Sequence, residues 1–146
     1  MRLRVGITIA KPPADVWRVI EPIERHVDWM ADAASITFTS SMRRGVGTRF
    51  DCLTRVGPLR TTDRMTVTEW EPGREMGIEH RGVVTGRGRF SLHSQAGHET
   101  RFTWAEELTF PWWMGAAIGA FAAKPVLFAV WRRNLRRLKQ LVELGH

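Results

Sequence analysis

The chain has 146 residues, 43% of them hydrophobic and 25% charged, the proportions of an ordinary globular domain and not of a disordered or fibrous chain. Seven Trp and seven Phe with no Tyr suit a large apolar interior, and a single Cys excludes an internal disulfide and a multi-cysteine zinc site. The net charge of +7 attracts phosphate, but the arginines scatter through every segment instead of forming a stripe, so no specific nucleic-acid partner is expected.

Met1 to Ala10 alternates polar and apolar residues and lacks a continuous signal-peptide core, so the cytoplasm is the expected location. Leu3, Val5, Ile7 and Ile9 share one face and Arg2, Arg4 and Thr8 the other, which predicts a strand. Lys11-Pro12-Pro13 ends it and opens a short helix, with Asp15 suited to the helix dipole and Val16, Trp17 and Ile20 turned inward. Pro22 stops that helix. A second short turn, Ile23 to Met30, carries Val27 and Trp29, with His26 expected as a satisfied, half-exposed histidine.

Six strands follow. They are Ser35 to Ser41, Thr48 to Val56, Leu59 to Trp70, Arg74 to Arg81, Val83 to His93 and Glu99 to Phe110. The breaks between them hold Gly45-Val46-Gly47, Gly57-Pro58, Glu71-Pro72-Gly73, Gly82 and Ala96-Gly97. Short turns between successive strands make an antiparallel meander and not βαβ units. Cys52, in the second of these strands, has no basic residue close in sequence and is expected as a small buried hydrophobe instead of a nucleophile.

Trp112 to Ala123 is rich in Ala, Gly and bulky apolar residues, and Pro125 interrupts the pattern. A helix is predicted from Val126 to Leu144, with Phe128, Trp131, Leu135, Leu138 and Val142 as its inward stripe. Residues 111–131 approach a transmembrane composition, but Lys124 and Pro125 stand at their middle and the strands need an apolar cover. A peripheral membrane contact through Trp112 and Trp113 stays open.

Strand parity defines the face that meets the long helix. Met76, Ile78 and His80 lie on it in one strand, Gly86, Gly88, Phe90 and Leu92 in the next, and Phe102, Trp104, Glu106, Leu108 and Phe110 in the last. Glycines on a concave aromatic face remove side chains and permit bending, so the face is expected to enclose an apolar ligand pocket. The lining expected is Met76, Ile78, His80, Gly88, Phe90, Leu92, Phe102, Trp104, Glu106 and Leu108, with Phe121, Phe128 and Trp131 from the helical segment. The competing outcome is that Phe90, Trp104, Phe128 and Trp131 meet and fill the centre.

His80 and Glu106 are the polar residues on that face and the only candidates for catalysis. With Met76 taken as pairing across Gly88 to Glu106, a flat sheet sets the two roughly 16 Å apart, which argues against an acid–base dyad. The remaining histidines show no metal-ligand spacing, and there is no phosphate loop or nucleophile elbow. No metal and no cofactor are expected.

The order of elements, with several short runs, resembles the START-like (SRPBCC) superfamily, within it the polyketide cyclase/dehydrase group. The runs are Ile9 to Trp17, the His26-x-x-Trp29 pair, Gly45-Val46-Gly47-Thr48, Val67 to Arg74 and Leu135 to Glu143. The resemblance spans essentially the whole chain and implies one α+β domain over residues 1–146 with a helix-grip fold, a curved seven-stranded antiparallel sheet around a long C-terminal helix. These runs are structural, so they carry over no catalytic residue. The family includes lipid and sterol carriers, hormone receptors and aromatase/cyclases. The expected function is therefore to carry or sense a small hydrophobic, lipid- or polyketide-like molecule, as monomer or homodimer. Gly115 and Gly119 would let the Trp112–Ala123 segment shift as a lid. The alternatives are a polyketide cyclase or dehydratase using a buried acid or base in the same pocket, and a membrane-peripheral or RNA-associated partner protein.

Overall fold

The computed structural model describes residues 1–114 and 116–145, with side chains described outside residues 114–123. Period-two alternation in Arg2–Ile9 (β1) buries Leu3, Val5 and Ile9 and leaves Arg2 and Arg4 in solvent. Pro13–Ile20 (α1) begins on a proline, whose fixed φ suits the first helical turn, and buries Val16, Trp17 and Ile20. A 3-10 helix, Ile23–Asp28, follows directly and buries Ile23 and His26.

The meander consists of Ala33–Phe38 (β2), Arg49–Val56 (β3), Leu59–Glu71 (β4), Glu75–Arg81 (β5), Thr85–Gln95 (β6) and Glu99–Thr109 (β7). All pairings are antiparallel, and the sheet order is β1-β7-β6-β5-β4-β3-β2. The chain thus crosses from one edge of the sheet to the other between β1 and β2, and α1 with the 3-10 helix makes that crossing. Register shifts between Val67 and Glu69 in β4 and between Ala33 and Ser35 in β2 mark bulges, which bend their strands and sharpen the twist.

After a turn of 3-10 helix, Trp112–Met114, the helix Ala116–Glu143 (α2) closes the fold. Contrary to expectation, Pro125 does not end it. A proline inside a helix withdraws one backbone donor and crowds the preceding turn, at about 3 kcal/mol, a cost offset by the burial of Trp131, Leu135, Leu138 and Val142 along the same helix. Lys139 Nζ donates to the Thr8 carbonyl at 2.9 Å and Glu143 accepts the Ala10 N–H at 2.7 Å, which clamps the end of α2 to β1. The result is a curved seven-stranded antiparallel sheet with a C-terminal helix on its concave face, the helix-grip arrangement. Among the described residues, no helix is long and apolar enough to cross a membrane.

Phe128 departs from the expected stripe. It is 38% exposed, with the Arg132 guanidinium 5.5 Å from its ring centroid. Leu127, four residues before Trp131, takes the inward position instead. Steps of three and four residues fit a helix equally well from Trp131, and the path of the sheet beneath chooses between them.

Two apolar clusters make the core. One joins Leu3, Val5, Ile9 and Phe102 to Trp131, Leu135 and Leu138; the other joins Ile23, Ala33, Phe50, Cys52 and Val67. Trp104 and Trp131 stack at 4.7 Å and Phe90 meets Trp104 edge-on at 5.3 Å, so three of the four expected central rings interlock and Phe128 does not join them. They do not fill the interior.

Candidate functional site

Members of both clusters face a cavity of about 510 Å³, within the span typical of small-molecule sites. Its wall is mainly aliphatic and aromatic, with Met76, Ile78, Phe90, Trp104, Leu108 and Trp131 on one side and Ala33, Phe50, Val56 and Met65 on the other. Leu59 and Val126 line it while remaining 40% and 52% exposed, so it reaches solvent between the β3–β4 turn and α2.

Polar groups gather on one part of this wall. Ile78 pairs with Gly88 and Gly88 with Glu106, which sets His80 only two residues from the row that holds Glu106. His80 Nε2 lies 3.0 Å from Glu106 Oε2, and Trp104 Nε1 donates to Glu106 Oε1 at 3.0 Å. Contrary to the flat-sheet expectation, the two residues form a hydrogen-bonded pair, with Glu106 buried and His80 half-buried. The reason is the β5–β6 connection, where Met76 pairs with Phe90 instead of Gly88 and the His80–Gly86 pair closes a five-residue loop. The register moves by two residues and brings His80 toward Glu106.

Gly88 makes the pair possible. A Cβ there would sit 2.3 Å from Glu106 Oε1, so the carboxylate occupies the space its missing side chain leaves. Burial pushes the imidazolium of His80 toward the neutral form, but the hydrogen bond and charge of Glu106, the charge of Asp63 and a hydrogen bond to the Val84 backbone outweigh it. The net effect raises the His80 pKa above its ordinary value. His80 thus leans toward the cation, next to a carboxylate.

Two further acids line the same cavity. Asp63 accepts from the Thr54 hydroxyl at 2.8 Å and from Thr61 at 3.4 Å. Burial raises its pKa, against those bonds and the charge of His80. Asp32 takes the Asn134 amide at 2.7 Å, and Asn134 in turn accepts the Ala31 N–H at 2.9 Å, so α2 fixes the approach to β2. Burial raises Asp32 as well, against hydrogen bonds from Asn134, its own backbone and Trp131. Cys52 is buried on the wall, and burial pushes its thiol up to about 11, so it holds its proton at neutral pH.

His26 is fully buried, not half-exposed as the sequence suggested, and it too lines the cavity. Burial lowers its pKa to about 4, so the ring is neutral. Nε2 lies 2.7 Å from the Ile20 carbonyl, an acceptor, and therefore carries the proton.

Of the residues expected to line a pocket, Met76, Ile78, His80, Gly88, Phe90, Trp104, Glu106, Leu108 and Trp131 do so. Leu92 and Phe102 do not. They pair across β6 and β7, Phe102 faces Ile7 of β1, and both are sealed in the core. Phe128 faces outward, as described above, and the side chain of Phe121 lies outside the described residues, as does Gly115 of the expected lid. Parity applied to β3 and β4 would have found Cys52, Thr54, Thr61 and Asp63, which alternate onto the same face. Asp32 precedes β2 in a turn, and no periodicity marks it.

Comparison with known proteins agrees with this arrangement. Residues 1–143 match the family described as polyketide cyclase / dehydrase and lipid transport. No curated protein sequence matches the chain. Among solved structures, a conserved protein of Geobacillus kaustophilus superposes with a TM-score of 0.83 at 12% identity, covering 100% of this chain and 97% of the other. A START superfamily protein of Mycobacterium smegmatis gives 0.79 at 10% identity over 99% of each chain. An aromatase/cyclase of a Streptomyces species gives 0.74 at 16% identity, covering 98% of this chain and 93% of that one. At such identities these likenesses show the fold alone.

Proposed function

From its membership of the polyketide cyclase / dehydrase and lipid transport family, to which this chain belongs, we propose that the protein binds one small hydrophobic molecule inside the sheet, as a carrier or sensor. The observation that carries this is the cavity of about 510 Å³ between two apolar clusters, open to solvent at Leu59 and Val126. Burying a guest there removes apolar surface from water at about 25 cal/mol per Å². Native mass spectrometry of protein purified from its own host should reveal a bound lipophile, and Ile78→Trp, which intrudes into the cavity, should lower its occupancy. Protein that carries no guest and also fails to brighten the neutral dye Nile red would overturn the proposal.

A second reading, turnover of a polyketide-like chain, is favoured by the 3.0 Å contact between His80 and Glu106. The pair puts a proton donor and an acceptor side by side against an apolar space. In a dehydration, the Glu106 carboxylate would take a proton from the carbon next to a ketone. The His80 imidazolium would give one to the departing hydroxyl, leaving a carbon–carbon double bond and water. Glu106→Gln should then abolish conversion of a short β-hydroxy ketone thioester while retaining Nile red binding. Equal conversion by the variant would exclude this role and leave binding alone.

A further inference from the structure

The wall of the cavity has a charge character opposite to that of the chain. Lys and Arg outnumber Asp and Glu by 22 to 15, yet the described lining contains no lysine or arginine and three carboxylates, Asp32, Asp63 and Glu106. The undescribed side chains at 114–123 change nothing here, because that run holds no basic residue. Lys124, the next cation along, is exposed.

Hydrogen bonding points the same way. Most side-chain donors on the wall are already committed to acceptors within the protein. Trp104 and His80 reach Glu106, Thr54 and Thr61 reach Asp63, and His26 reaches the Ile20 carbonyl. Among the described residues, the Cys52 thiol, a weak donor, and the Trp131 indole N–H beside Asp32 are left. Each carboxylate has about four lone-pair sites, and the bonds above leave some of them free. A guest therefore meets spare acceptors, three acidic groups and no lysine or arginine.

Resting on the cavity being the ligand site, we infer that it selects by charge: it takes lipophiles that are neutral or cationic and present a hydroxyl, phenol or ammonium donor, and it rejects fatty acids and other anionic amphiphiles. A guest carboxylate finds no cationic partner unless it breaks the His80–Glu106 bond, and it stands beside acidic groups in a poorly solvated space. A hydroxyl or ammonium supplies the donor that the wall lacks.

Decanol, decylammonium and decanoate, three probes with one chain, separate the cases in calorimetric titrations of the full protein at neutral pH. Decanol and decylammonium should bind at least about tenfold more tightly than decanoate. Asp63→Asn and Asp32→Asn, each confirmed folded by circular dichroism, should narrow the gap by weakening decylammonium and strengthening decanoate. Decanoate binding as tightly as decanol would overturn the charge selection while leaving the cavity as a ligand site. Failure of all three probes and of Nile red would overturn the ligand site itself, and this inference with it.

Discussion

Acidification tests the interior around His26. The ring is buried and neutral, bonded through Nε2–H to the Ile20 carbonyl, and its pKa is lowered to about 4 against an ordinary 6.5. Between those values the unfolded chain binds a proton that the folded chain refuses, so stability falls with pH across this window. The gap is worth about 3 kcal/mol at 1.36 kcal/mol per pKa unit, of which about 2 kcal/mol is lost by pH 5. That is a large share of the roughly 5–15 kcal/mol that holds a domain together. Other buried groups act in the opposite sense. Asp32 and Asp63 have raised pKa values, so the folded chain holds their protons more tightly and they stabilise it as pH falls through those values. His80, also raised, contributes fully below about 6.5 and loses its contribution as pH rises through its folded value. The readout is therefore the difference between the wild type and His26→Gln, whose amide keeps a donor for Ile20 without titrating. Urea denaturation from pH 7 to pH 4.5 should show the wild type losing about 2 kcal/mol more than the variant. Parallel stability curves, or an NMR titration placing His26 near 6.5, would refute this account of the interior.

Two further perturbations test the site and the helix. Gly88→Ala places a methyl group against the Glu106 carboxylate and should push it off His80, lowering the His80 pKa by NMR titration and costing about 1–3 kcal/mol; an unchanged titration would contradict the pairing. Trp131→Ala should cost about 3–5 kcal/mol in urea denaturation through lost stacking on Trp104 and the cavity left behind, whereas Phe128→Ala, at an exposed position, should stay within about 1 kcal/mol.

Much of this architecture was legible before any coordinates. Alternation in Arg2–Ile9, prolines at 12, 13 and 22, and glycine turns between strands each follow from local chemistry, and the observed elements begin and end near those marks. The faces were legible for the same reason, since a strand turns alternate residues to opposite sides wherever it sits. That placed Met76, Ile78, His80, Phe90, Trp104 and Glu106 on the concave side, where the structure has them.

What alternation cannot decide is register. Sliding β5 by two residues against β6 leaves every side chain on the face it had, so the same pattern fits a sheet with His80 far from Glu106 and one with them hydrogen-bonded. The five-residue loop after His80 settles that choice, and Gly88 leaves room for the carboxylate. Periodicity is equally blind to whether inward rings meet or leave space, and to Asp32, which the Asn134 contact from α2 holds on the wall. The residues by themselves determined which side chains point inward; the three-dimensional path of the chain determined which of them touch, because contact depends on offsets along the strands that a repeat of two does not encode.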